Sequence, residues 1–210
     1  MKLFGISYRE WAIKIYQNVS KKNKIKIFNV KKLPLKQIKK HNPDYIFFYG
    51  WSWKVPKNIT QKYKCIMLHP SKLPNFAGGS PIQNQIIRNI NNSAITLFRM
   101  TDIIDEGNII FQKKLSLKGS LDEIFARIIK VGTNLTLDLL KKNYVEKKIS
   151  VKKKYKRLIP ANSEITLKEI RNSKGIYLLN KIRMLQDPYP NPFIKTKDNR
   201  KLIIKKAILK

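Results

Sequence analysis

The chain has 210 residues, with 45 Lys and Arg against 13 Asp and Glu and a formal net charge of +32. A hydrophobic fraction of 42% is enough for a packed core, which excludes a disordered chain despite the charge. The single cysteine, Cys65, excludes an internal disulfide and a cysteine zinc site. No apolar run reaches the ~18 residues of a membrane span, and the N-terminus lacks a signal-peptide core, so we expect a cytoplasmic protein.

Two motif-independent patterns predict the fold. Apolar runs that predict strands lie at residues 3–7, 25–30, 44–50, 65–68, 93–100 and 108–117. Amphipathic stretches that predict helices lie between them at residues 10–19, 33–40, 81–90 and 120–142, with Ser80 and Ser120 as expected N-caps. Repeated β-α-β units of this kind predict an α/β fold with a Rossmann-like, mostly parallel sheet and helices on both faces.

The alternation stops after residue 142. We expect residues 1–149 to form the main domain and residues 150–210 a small C-terminal α+β subdomain. Within the subdomain, residues 177–184 predict a helix, and residues 193–197 and 201–206 predict a hairpin. An exposed apolar surface on such an appendage would favour a homodimer.

The net charge is a weak indicator of a nucleic-acid partner. Lys and Arg neutralise phosphates, but 37 of the 45 basic residues are Lys, and base recognition favours the planar guanidinium of Arg. The lysines are also spread along the whole chain. We therefore expect mostly a solvated surface, no nucleic-acid partner, and a field that speeds the encounter with an anionic substrate.

Chemically active side chains follow several predicted strands. His69 follows the fourth strand, and Asp102 and Asp105 follow the fifth. Ligands bind beyond the carboxyl ends of parallel strands, so we expect these side chains at one edge of the sheet. A His beside a carboxylate serves as a general base or as a donor to a developing oxyanion. A loop histidine bonded to the backbone, with solvated acids nearby, is the alternative interpretation.

Two ordered motifs resemble the folate-dependent formyltransferases. Residues 69–83, HPSKLPNFAGGSPIQ, are similar to the family's His-x-Ser-x-Leu-Pro loop followed by Gly-x-x-Pro and a helix. Residues 105–109, DEGNI, are similar to its second signature, Asp-x-Gly, and the 36 residues between His69 and Asp105 suit one α-β unit. Residues 50–53, 160–165 and 187–191 look most similar to the sugar-nucleotide N-formyltransferases.

The resemblance implies transfer of a formyl group from N10-formyltetrahydrofolate, without a metal, to the amine of a nucleotide-linked amino sugar. A dTDP- or UDP-4-amino-4,6-dideoxy sugar of lipopolysaccharide O-antigen biosynthesis is the expected acceptor. The family's catalytic trio is Asn, His and Asp, of which His69 and Asp105 match. Met67 stands at the Asn position and cannot donate that hydrogen bond. Asn75, Asn84 or a backbone N–H would replace it, or the enzyme would be slow.

The resemblance also implies two binding regions. The folate is expected to contact Tyr49, Trp51, Ser52, Trp53, Asp102 and Ile103. The nucleotide sugar is expected to contact Tyr8, Arg9, Ser71, Lys72, Gly78, Gly79 and Gln83. An Arg9 clamp on a pyrophosphate competes with simple pairing of Arg9 to Glu10. Core packing is the alternative role for the two tryptophans.

Three other interpretations were compared with the sugar-nucleotide hypothesis. Glycinamide ribonucleotide formyltransferases carry a Gly/Ser-rich phosphate loop that residues 7–11 do not match. Methionyl-tRNA formyltransferases share the signatures and suit the charge, but they are substantially longer. A basic, non-catalytic binder of polyanions on the same scaffold is the third alternative, which the presence of Met67 favours.

Overall fold

The main sheet contains six strands, and the first four run parallel to one another. The computed structural model describes residues 1–210. The parallel strands are β1 (Leu3–Ser7), β2 (Ile25–Asn29), β3 (Tyr45–Phe47) and β4 (Lys64–His69). A two-residue strand, β5 (Ala77–Gly78), lies outside this sheet and precedes its last two strands, β6 (Asn92–Arg99) and β7 (Asn108–Ser116). The order β2-β1-β3-β4-β6-β7 confirms the predicted α/β fold with a mostly parallel sheet.

The direction of β6 differs from the simple β-α-β expectation. β6 is antiparallel to both β4 and β7. Thr96 lies opposite His69 and Arg99 lies opposite Ile66, so β6 ends near the beginning of β4. A short apolar run reads the same way in a parallel and in an antiparallel strand, so the sequence pattern does not encode this direction.

Helices cover both faces of the sheet, as predicted. They are α1 (Glu10–Ser20), α2 (Leu35–His41), α3 (Lys57–Lys62), α4 (Pro81–Ile86) and α5 (Leu121–Lys141). Ile15 of α1 and Ile128 of α5 belong to a core of 23 buried residues on one face. Ile38 of α2 and Ile59 of α3 belong to a second core of 10 buried residues on the other. Burial of these apolar stripes is the main stabilising contribution to the fold.

The two predicted N-cap residues, Ser120 and Ser80, behave differently in the structure. Ser120 caps α5 through a reciprocal pair of bonds with Glu123, as predicted. Ser80 lies at the N-cap of α4, but its backbone is left-handed and its hydroxyl accepts from the N–H of Leu158 instead. The Ser80 side chain therefore does not cap α4, and it holds the C-terminal segment against the main sheet. The six-residue α3 has no predicted counterpart because its sequence lacks a helical apolar stripe.

Residues 150–210 pack closely on the preceding part of the chain. Their elements are β8 (Lys154–Tyr155), a 3₁₀ turn (Pro160–Ser163), α6 (Leu167–Asn172), α7 (Gly175–Met184), β9 (Phe193–Lys195) and β10 (Lys201–Ile203). β8 pairs with β5, and Met184 and Leu185 belong to the 23-residue core. The antiparallel β9-β10 pair agrees with the predicted hairpin, and the boundary at residue 150 stays a prediction. None of the helices combines the length and the apolar character that crossing a bilayer requires.

Candidate functional site

A cavity of about 670 Å³ lies where the loops after β1, β3 and β4 meet. The loop between β6 and β7 and the segment around β8 complete its wall. The sequence-predicted site residues that line it are Arg9, Trp51, Ser52, Trp53, Met67, His69, Gly78, Gly79, Gln83, Asp102, Ile103 and Asp105. Four of the predicted residues, Tyr8, Tyr49, Ser71 and Lys72, do not line it.

His69 and Asp105 meet in the wall of this cavity. Nδ1 of His69 lies 3.7 Å from Oδ2 of Asp105, and both side chains are more than 90% buried. Nε2 of His69 lies 2.9 Å from the carbonyl oxygen of Phe76, an acceptor, so this nitrogen carries a proton. The N–H of Gly78 donates to Oδ2 of Asp105 at 2.6 Å. Both ring nitrogens of His69 thus face oxygen atoms of the protein.

Asp105 reaches His69 by a route that the sequence does not predict. Because β6 is antiparallel, the loop at residues 100–107 leaves the sheet near the start of β4 and folds back along the cavity. At its end, a Cβ on Gly107 would lie only 1.7 Å from the carbonyl oxygen of Arg99, so only glycine allows this close return. Asp105 itself has a left-handed φ of 58°. The expected meeting of His69 and Asp105 is found, whereas the reason given for it, a parallel fifth strand, is wrong.

Met67 lines the cavity two residues before His69, on the same face of β4. Its half-buried side chain packs against two buried apolar clusters, one that contains Phe48 and Trp51 and one that contains Leu73 and Phe98. Neither of the asparagines considered as replacements lines the cavity. Asn84 donates its amide to the carbonyls of Gly79 and Lys156, and Asn75 is exposed. The structure therefore rules out both as stand-ins for an asparagine at position 67.

Five of the six residues expected to contact the folate line the cavity. Trp51 and Trp53 lie edge to face with ring centroids 4.8 Å apart, and Trp51 is buried whereas Trp53 is 46% exposed. Asp102 and Ile103 face them from the exposed loop before Asp105. Tyr49 is the exception, because it is fully buried in the main core and its hydroxyl pairs with Thr136. Burial raises the pKa of Tyr49 well above its usual value, and we exclude it from the site.

The other side departs further from expectation. Ser71 is fully buried and donates to the carbonyl of Asn75, and Lys72 is exposed outside the cavity. Both therefore shape or flank the loop without reaching the cavity. Tyr8 also lies outside, where its hydroxyl pairs with Ser52 and its ring lies 4.6 Å from the guanidinium of Arg9. Tyr8 thus contacts two cavity residues, Ser52 and Arg9, without lining the cavity itself.

Several cavity residues were missed at the level of sequence. Lys54, Lys154, Tyr155, Arg157 and Tyr189 all line it. Tyr155 and Arg157 reach the cavity because β8 pairs with β5, and the ring of Tyr155 stacks on Phe76 at 4.9 Å. No local motif predicts a parallel pair between two strands of two residues each. The only feature of the sequence that pointed to Tyr155 and Arg157 was the basic character of residues 147–158.

The lining suits a flat heteroaromatic ligand. Apolar side chains of Trp51, Val55, Met67 and Met100 form a slot, and the indole Nε1 of Trp51 is buried without a hydrogen-bond partner. A buried donor without a partner is costly unless a ligand supplies the acceptor. No three His, Cys, Asp or Glu side chains are grouped closely enough to hold a metal ion.

Comparison with known sequences identifies the family. Residues 5–138 match the formyl transferase family. The chain belongs to this family. The matched region begins within β1 and ends within α5, and it includes both His69 and Asp105.

Three relatives place the chain within the formyl transferase family. The methionyl-tRNA formyltransferase of Ehrlichia chaffeensis is 26% identical over 168 residues, which are 78% of this chain and 54% of that protein. The structure of a methionyl-tRNA formyltransferase from Clostridium thermocellum matches 100% of this chain and 94% of that one, with 33% identity and a TM-score of 0.89. A 4-N formyltransferase from Francisella tularensis shares the fold at 18% identity, covering 100% and 98% of the chains with a TM-score of 0.75. The chain thus spans about half the length of the curated relatives it matches, and the expected preference for sugar-nucleotide relatives is not found.

Proposed function

We propose that this chain transfers a formyl group from N10-formyltetrahydrofolate to a primary amine. The observation that carries the proposal is the 3.7 Å approach of His69 to Asp105 in the wall of the cavity. In this arrangement an acidic and a basic group stand beside a slot that fits a pterin ring. General acid–base chemistry at an acyl carbon needs both groups within reach of one reacting centre.

Asp105 is the proton acceptor for the attacking amine. Its Oδ2 is occupied by Gly78 and faces His69, while Oδ1 has no hydrogen bond within the protein. Attack by the amine on the formyl carbon releases one proton, which Oδ1 can accept directly or through water. When the tetrahedral adduct collapses, the bond between the formyl carbon and N10 breaks, and this proton passes to N10, so that tetrahydrofolate leaves and the formamide remains. The carboxylate also lies beside Nδ1 of His69 and so orients the ring.

His69 stabilises the negative charge that develops on the formyl oxygen. Its Nε2–H donates to the carbonyl of Phe76 in the structure, so the ring exchanges this acceptor for the substrate oxygen when the reactants bind. Catalytic hydrogen bonds are commonly completed only in the reactant complex. Met67 adds no second donor, so this oxygen receives one fewer hydrogen bond than an Asn at this position would supply.

We infer that the acceptor is the α-amine of an aminoacyl-tRNA, which replaces the nucleotide sugar as the first candidate. The support is the 33% identity with the Clostridium thermocellum methionyl-tRNA formyltransferase over nearly the whole of both chains. The 4-N formyltransferase from Francisella tularensis is much less similar, at 18%. A net charge of +32 adds a phosphate-attracting field that suits a tRNA.

A two-acceptor assay tests this assignment. The protein is incubated with N10-formyltetrahydrofolate and either methionyl initiator tRNA or a dTDP-4-amino-4,6-dideoxy sugar, and the formylated product is measured by mass spectrometry. We expect formylmethionine and no formylated sugar. Formylation of the sugar alone would restore the nucleotide-sugar hypothesis. Failure with both acceptors, together with salt-sensitive tRNA binding, would instead support a non-catalytic polyanion binder.

A further inference from the structure

Two arginines that line the cavity have no ion-pair or hydrogen-bond partner in the protein, although the guanidinium of Arg9 lies 4.6 Å from the ring of Tyr8. They are Arg9 and Arg157. Neither lies within 4.0 Å of a carboxylate oxygen, and neither donates a hydrogen bond. Glu10, the expected partner of Arg9, instead pairs with Lys14 at 2.6 Å. In contrast, the cavity residue Lys154 is neutralised by Glu106 at 3.0 Å.

A buried amide donor faces the same region. Gln83 is 2% exposed and lines the cavity, and its Nε2 has no hydrogen-bond partner. Leaving such a donor unpaired is unfavourable, whereas a ligand oxygen in the cavity would satisfy it. The donor is held on α4, a rigid element that is buried against the main core.

Tyr189 lies beside Arg9 in the wall of the cavity. Burial raises the pKa of Tyr189, and the charges of Arg9 and Arg157 act in the opposite direction. Arg9, Arg157 and Gln83 line the same cavity as Tyr189. The Tyr189 ring is stacked on Phe125 with centroids 6.4 Å apart and lies 6.0 Å from Cζ of Arg9. This packing holds the ring in place and leaves the two positive charges directed at the cavity.

We propose that Arg9, Arg157 and Gln83 form a binding site for an oxyanion at this end of the cavity. Two guanidinium groups and one amide provide only donors, which is the chemistry that recognises a phosphate or a carboxylate. The identity of the ligand rests on the proposed function: the oxyanion is either a phosphate of the acceptor or a tail carboxylate of the folate. The site itself is inferred from the unpaired groups and does not depend on turnover.

The test measures binding by isothermal titration calorimetry in the absence of the second substrate. Adenosine 5′-monophosphate is compared with adenosine, and 5-formyltetrahydrofolate with 6-methyltetrahydropterin, which lacks the acidic tail. The variants are Arg9→Met and Arg157→Met, each of which breaks no ion pair or hydrogen bond of the folded protein. Arg171→Met on α6 is the matched control, because it removes the same charge from a residue outside the cavity.

We expect each cavity variant to weaken binding of one anionic probe by about tenfold or more, since charge-assisted bonds are lost. The uncharged member of that pair should bind equally well to the wild-type protein and to the variants. An effect confined to adenosine 5′-monophosphate assigns the site to a phosphate, and an effect confined to 5-formyltetrahydrofolate assigns it to the folate tail. Unchanged affinity for both, a loss matched by Arg171→Met, or no binding of either probe by wild-type protein would overturn the site. Turnover in the two-acceptor assay would then still stand, so the two proposals fail separately.

Discussion

The imidazole of His69 and the carboxylate of Asp105 lie 3.7 Å apart, although 36 positions separate them in the chain. The short segment of residues 76–78 holds both groups. The Phe76 carbonyl, at the end of the loop after β4, accepts from Nε2 of His69 at 2.9 Å, and the N–H of Gly78 in β5 donates to Asp105 at 2.6 Å. Backbone groups of one short segment therefore orient both side chains, so the pair is in place before any substrate binds.

Replacement of either member of this pair should abolish most of the transfer. For His69→Ala and for Asp105→Asn we expect kcat to fall by about 10²–10⁴, because an acid–base group or an oxyanion donor is removed. Binding of 5-formyltetrahydrofolate should change little, which calorimetry can measure alongside steady-state rates.

The second histidine provides a control for these variants. His41 lies at the end of α2, half-buried and outside the cavity, and His41→Ala should keep the wild-type rate. Near wild-type kcat in both His69→Ala and Asp105→Asn would contradict the proposed mechanism.

Met67→Asn should raise kcat by about tenfold or more, because it adds a hydrogen-bond donor beside His69. The same change should lower the free energy of unfolding by about 1–3 kcal/mol, since a polar group replaces an apolar one that packs against two buried apolar clusters. Met67→Leu is the matched control and should leave kcat unchanged. Equal rates in all three proteins would mean that another group already supplies the donor.

Gly78 should tolerate no side chain. Its φ is +100°, and a Cβ would lie 2.4 Å from the carbonyl oxygen of Tyr155 in the paired strand β8. We expect Gly78→Ala to cost about 1–3 kcal/mol in urea unfolding. It should also lower kcat, because the Gly78 N–H donates to Asp105.

Gly175→Ala provides the comparison for this substitution. There the added methyl group would meet only the flexible end of the Leu209 side chain. We expect a smaller loss of stability and an unchanged kcat. Equal effects of the two substitutions on kcat would argue against a role for the Gly78 N–H in the site.

The lone cysteine should be unreactive in the native protein. Burial raises the pKa of the Cys65 thiol from 9.0 to about 12, with Arg99 acting weakly in the opposite direction. The unfolded thiol ionises above pH 9 and the folded one does not, so this contribution to stability is complete below pH 9 and is lost as the pH rises from 9 to 12. The loss is on the order of 4 kcal/mol at most.

Urea unfolding of the wild-type protein and of Cys65→Val at pH 8 and pH 11 measures this effect. The wild-type protein should lose more stability between the two pH values, and a thiol reagent should modify Cys65 only after unfolding. Equal pH dependence in the two proteins would show that the thiol does not titrate differently on folding.

Local sequence determined most of the secondary structure and the chemistry of the central pair. The apolar run at residues 3–7 and the Ser120 capping box predicted β1 and the start of α5 closely, because such signals act within a few residues. The motifs around His69 and Asp105 also indicated the family correctly. The identity of the acceptor was not encoded in these motifs, and the sugar-nucleotide preference drawn from shorter segments was not supported by the comparisons.

Only the tertiary structure decided the direction of β6, the folding back of the loop before Asp105 and the entry of Arg157 and Tyr189 into the cavity. These features depend on pairings between distant segments, such as β5 with β8, whose strands are too short to carry a pattern of their own. Burial also keeps Tyr49 and Ser71 out of the cavity, because a residue beside a site motif can face the core instead. Sequence reports which groups are available, and long-range packing decides which of them share one cavity.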